Sequence, residues 1–87
     1  METLLMPHIR DTLTVEEVSI LTGASGPAVR RDIRRGHITA ARVYGKGPTL
    51  LVSAAHLADS LERRRYHAAA ARVRAYLAGD ITLEVAS

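Results

Sequence analysis

The stretch "LTVEEVSILTGASGPAVRRDIRRG", residues 13 to 36, decides how the rest of the chain is read. Thr14 stands three positions before Glu17. That is the spacing of a capping box, in which the hydroxyl takes the Glu17 amide and the carboxylate reaches back to the Thr14 amide. It predicts a helix over residues 15 to 21, with Leu13, Val15, Val18 and Leu21 on its apolar side and Gly23 as its stop. Ser25 is a second N-cap, and Gly26 and Pro27 suit a first helical turn, where a missing amide hydrogen costs nothing. A second helix is expected over residues 26 to 35, ended by Gly36. Two short helices joined by Thr-Gly-Ala form a helix-turn-helix.

The second helix is unusual in its charge. Val29 and Ile33 lie within about 40° of one another on a helical wheel and define its buried side. Pro27, Arg31 and Arg34 then point away, with Arg30 and Arg35 flanking them. Four arginines against the single acid Asp32 repel one another at helical spacing, which costs stability unless a polyanion neutralises them. A solvated face is the common reason for a run of like charge. Here the run falls on the second helix of a helix-turn-helix and a basic hairpin follows at once, which predicts nucleic-acid binding.

Net charge hides this segregation. The 87 residues sum to only +3, yet residues 30 to 46 hold Arg30, Arg31, Arg34, Arg35, Arg42 and Lys46 against Asp32, a local +5. A second cluster, Arg63, Arg64, Arg65, Arg72 and Arg74, contains no acid and is also +5. Eleven arginines against one lysine favour bidentate recognition of phosphate or guanine, although a GC-rich genome gives the same bias.

Downstream, "HITAARVYGKGPTLLVS" changes to β-branched and apolar residues on either side of Gly45-Lys46-Gly47-Pro48. This predicts a β-hairpin with strands near residues 40 to 44 and 49 to 52. Ser53 is the next N-cap, and residues 54 to 78 contain neither glycine nor proline, so helix is expected there. Its apolar stripe is discontinuous: Leu57 and Leu61 share one face, whereas Tyr66, Ala69, Val73, Tyr76 and Leu77 define another. Either the helix breaks between Arg63 and His67, or its halves pack on different things. Gly79 is the stop, and residues 81 to 87 alternate like a short strand or form a tail.

Other functions find little support. Without cysteine there are no disulfides or thiolate metal sites, which suits a reducing, cytoplasmic location near the nucleoid. No leader or membrane span is expected, and no membrane partner. His8, His37, His56 and His67 never stand three or four apart, so no metal is expected. The pair Glu16 and Glu17 is explained by helix capping, and no cofactor motif is present, so neither catalysis nor a cofactor is expected. Gly45-Lys46-Gly47 lacks the following helix N-terminus of a phosphate loop and suits a hairpin tip.

Taken together, Leu13, Thr14, Glu17, Gly23, Ser25, Val29, Arg31, Ile33, Gly36 and Ile38, then Val43, Val52, Leu57 and Leu61, resemble the excisionase-type, MerR-like winged helix-turn-helix family. The resemblance covers residues 12 to 62 and rests on combined spacing. It implies a mainly α fold with a small β-hairpin: residues 1 to 11 as an arm, 12 to 62 as the DNA-binding domain, and 63 to 87 as an extended C-terminal helix and tail. By the same resemblance the second helix enters the major groove and the hairpin is a wing on the backbone or minor groove. Ser25, Gly26, Pro27, Arg30, Arg31, Arg34 and Arg35 would then face double-stranded DNA, with Arg42 and Lys46 gripping it from the wing. Family members bind side by side, bend attachment-site DNA and steer a tyrosine or serine integrase of a phage or mobile element toward excision. A MerR-like transcription regulator or repressor is the alternative, and a protein-interaction module using the basic face is another. Self-association through residues 66 to 77 is a further expectation. Four positions depart from the pattern: Asp32 is usually apolar, Ala24 is usually larger, and Leu50 and Leu51 stand where the wing often carries an aromatic and a basic residue.

Overall fold

The computed structural model describes residues 12 to 42 and 50 to 83. In chain order these form β1 (Thr12–Thr14), α1 (Val15–Thr22), α2 (Gly26–Arg34), β2 (Ala40–Arg42), β3 (Leu50–Ser53), α3 (Ala54–Arg63) and α4 (His67–Ala78). The fold is mainly helical, with four helices and a small antiparallel sheet of order β1-β3-β2.

Local chemistry starts each of the first three helices. The capping box at α1 is complete: the Glu17 amide donates to Thr14 Oγ1 at 3.1 Å, and the Thr14 amide donates to Glu17 Oε1 at 2.8 Å. Gly23 closes this helix at φ 83°, a left-handed conformation that a side chain would strain. Ser25 caps α2 by accepting the Ala28 amide at 3.2 Å, with Pro27 in the first turn. Ser53 caps α3 by accepting the His56 amide at 3.4 Å.

The strand expectations hold over the described residues. Ala40 pairs with Val52 and Arg42 with Leu50, so β2 and β3 are the two arms of an antiparallel ladder. Val43, Tyr44, Thr49 and the expected Gly45-to-Pro48 tip lie outside the described residues. A third strand joins them: in β1, Leu13 pairs with Val52 on the other side of β3. Its three residues are too short to display a period of two, which is why periodicity did not reveal it.

One expectation is corrected. The extended C-terminal helix gives way to the break that the stripe offset left open between Arg63 and His67: α3 ends at Arg63, Arg64 to Tyr66 make a turn, and α4 starts at His67. The two offset apolar stripes are the cause. Leu57 and Leu61 on α3, and Ala70 and Val73 on α4, are all buried in the same core, which a straight rod could not arrange. Doubling back lets α4 pack on both α3 and α1. The core holds Leu13, Leu21, Leu57, Val18, Val29, Val52 and Val73 as its largest fully buried side chains.

Two polar ties fix the helical hairpin in place. Arg72 Nε donates to the Leu21 carbonyl at 2.6 Å, satisfying one of the open carbonyls in the last turn of α1. The buried Ser60 hydroxyl donates to the His37 carbonyl, which anchors the segment after α2 to α3. Tyr66 does not join the buried stripe; it sits in the turn and is 52% exposed. Past Gly79, residues 81 to 83 are irregular rather than strand, and residues 84 to 87 lie outside the described residues.

Candidate nucleic-acid interface

Helix α2 lies on the core through Val29, which is buried, and Ile33, which is partly buried. Everything basic on it is outside: Arg30, Arg31, Arg34 and Arg35 are all exposed. Among the described residues, none of these four guanidinium groups has an ion-pair partner. At the start of the helix Ser25 and Pro27 are exposed and Gly26 is half-buried. Arg42 is exposed at the end of β2, an edge strand. Lys46 lies outside the described residues.

Asp32, the acid within this basic helix, has a partner that local sequence could not name. Its Oδ2 receives Arg64 Nη1 at 3.4 Å, from the turn between α3 and α4, 32 residues away. The Arg64 guanidinium also lies 5.1 Å from the centre of the Tyr66 ring. The Asp32 main chain contributes too, its carbonyl accepting the His37 amide at 2.9 Å and the Ile38 amide at 3.3 Å. The polar side chain of Asp32 therefore faces the arginine-bearing turn.

Between α2 and that turn runs an open cleft of about 860 Å³. Arg31 on α2, Arg35 just past its end, and Arg64 and Arg65 in the turn all line it. Apolar residues, Val29 and Leu61 among them, also line it.

The second basic cluster is largely occupied within the fold. Arg74 donates to Glu62 Oε1 at 2.6 Å and to Asp59 Oδ1 at 3.4 Å, while His67 Nδ1 also meets Glu62. The Arg74 hydrogen bond, then that of His67, holds the Glu62 carboxyl below its ordinary value of 4.5. Arg72 is spent on the Leu21 carbonyl and Arg64 on Asp32. Among the described residues, Arg63 and Arg65 are left without a side-chain partner.

Of the sequence-derived candidates, Arg31 and Arg35 share the cleft, whereas Arg30, Arg34 and Arg42 do not line it. Arg64 and Arg65 were not among them. The signal was the stripe offset between residues 63 and 67, which marked a turn without saying what it would face. No protein family matches the chain, and neither a curated protein nor a solved structure is significantly similar to it.

Proposed function

We propose that this chain is a sequence-specific duplex DNA-binding protein of the winged helix-turn-helix type, without catalytic activity of its own. The observation that carries the reading is the outer face of α2: four exposed arginines with no ion-pair partner among the described residues, on a helix whose capped start is also exposed. Such a face is unfavourable to the isolated domain through self-repulsion and is relieved by a polyanion.

A helix of nine residues with guanidinium groups on its outer face fits the major groove, where arginine pairs bidentately with guanine. Arg31 and Arg34 are assigned to base edges, Arg30 and Arg35 to the flanking phosphates, and the first-turn amides beside Ser25 and Gly26 to a further phosphate. The β2–β3 ladder is the wing, with Arg42 and Lys46 as its charge. In cellular terms the resemblance to excisionases favours a recombination directionality factor that bends attachment-site DNA for an integrase. A MerR-like regulator is the alternative.

Selection of bound duplexes from a random library tests this reading. A recurring sequence is expected, as direct repeats for excisionase-like arrays or as a palindrome for a dimeric regulator. Failure to enrich any sequence would overturn sequence-specific binding and leave architectural DNA or acidic-protein binding in its place.

A further inference from the structure

The cleft between α2 and the α3–α4 turn is lined by two kinds of residue that a phosphodiester cannot both use. Its charged members are Arg31, Arg35, Arg64 and Arg65 against the single acid Asp32, with His67 at the start of α4. Arg64 is bound to Asp32 at 3.4 Å and His67 to Glu62. Arg31, Arg35 and Arg65 are therefore its cations without an ion-pair partner among the described residues. Most of the remaining lining is apolar: Ala24, Ala28 and Ala69 are half-buried and carry nothing polar beyond Cβ, and the Tyr66 ring is 52% exposed.

A sugar-phosphate chain satisfies the guanidinium groups and leaves the aliphatic and aromatic part of this lining in water. An organic anion with a flat apolar body uses both parts. Guanidinium pairs bidentately with an acid group and also stacks on an aromatic face, and small side chains such as alanine let a ring approach closely. At about 860 Å³ the cleft falls within the size of pockets that take small molecules, roughly 300 to 1,000 Å³.

We infer that the cleft is a ligand site for a small aromatic acid, its acid group held by Arg35 and Arg65 and its ring lying over the alanines beside Tyr66, and that occupation of the site weakens duplex binding. The second half follows from Arg31, which lines the cleft and is also exposed on α2. One guanidinium cannot meet a ligand's acid group and a base edge at once, so acid and duplex compete for it. This competition rests on the DNA-binding reading; the ligand site itself does not. By linkage, the acid and the duplex weaken each other by the same factor.

Anilinonaphthalenesulfonate, an aromatic sulfonate that fluoresces when its rings leave water, tests both halves on the full chain. Without DNA it should titrate to a single site and, at about ten times its dissociation constant, raise the melting temperature by about 5 °C. Phenylnaphthylamine, the same ring system without the acid group, should bind about tenfold more weakly. Arg35→Ala should weaken the dye about tenfold. Arg65→Gly should do the same, since glycine accepts the φ of 68° that Arg65 holds and only the side chain is lost. Arg34→Ala, on α2 but outside the lining, should leave dye binding unchanged. Saturating dye should weaken the parent's binding to a selected duplex about tenfold. Equal dye binding by the parent, Arg35→Ala and Arg65→Gly would overturn the ligand site, as would a dye that lowers the melting temperature, which marks binding to a loosened chain. Dye binding with the expected losses but no effect on the duplex would overturn the competition alone. A parent chain that binds no duplex sinks the DNA-binding reading and the competition together, while the dye titration still decides the ligand site.

Discussion

Asp32 performs two separate tasks on α2. Its carbonyl ends the chain's departure toward Ile38, and its carboxylate fastens the Arg64 guanidinium of the distant turn. Both side chains are about a quarter exposed, 24% and 28%, so water screens the pair and its contribution is modest. Asp32→Ala is expected to cost about 1 kcal/mol or less in urea unfolding, and Asp32→Arg more, because it then faces Arg64 with like charge. Restoring the pair in reverse, Asp32→Arg with Arg64→Asp, should recover most of the loss. A reversed pair no more stable than Asp32→Arg alone would show that the contact is incidental. Asp32 is thereby tied to the α3–α4 turn, and that turn could not be paired with α2 from local spacing.

At the scale of elements, the α3–α4 hairpin is held by Glu62, which bridges Arg74 and His67. Its carboxyl is held below 4.5, so the folded state favours the charged form more than the unfolded chain does. The stabilisation is therefore fully present above the unfolded value and disappears as pH falls through the lowered folded value. Thermal unfolding should show Glu62→Gln melting below the parent at neutral pH, with the gap closing in acid below about pH 4. A gap that persists unchanged at low pH would remove the ion pairs as its cause.

Elements whose start and stop signals are local were legible in the sequence. Thr14 with Glu17, Ser25 with Pro27, Ser53, Gly23, Gly36 and Gly79 all placed helix ends to within a residue. Elements that depend on distant partners were not. Strand β1 exists because Leu13 completes the ladder on β3, and α4 folds back because Val73 and Ala70 find the core that α1 and α3 have built. Tyr66 looked like part of that apolar stripe only on the assumption of one unbroken helix. The arginine face of α2 was legible for the same reason as its caps, since a helical wheel needs only a single element.

For the whole molecule, the fold divides its basic residues by use. Arg64, Arg72 and Arg74 hold the helical hairpin to itself and to α1 and α2. Arg30, Arg31, Arg34 and Arg35 serve no such tie among the described residues and share one exposed helix. Residues 66 to 77, expected as a self-association surface, place Ala70 and Val73 inside the chain's own core, with Tyr76 and Leu77 packed against it. None of the helices described is long and apolar enough to cross a membrane.

The central claim, that the α2 arginines meet a duplex, is tested most directly by measuring duplex affinity against salt for the parent chain and for Arg31→Ala. With about six phosphates neutralised, log affinity should fall on log salt with a slope near −5. Arg31→Ala should lower the preference for the selected sequence over random DNA, by an amount worth about 1 to 3 kcal/mol at the contacted base. No detectable duplex binding at low salt, or binding that does not respond to salt and to Arg31, would contradict the account.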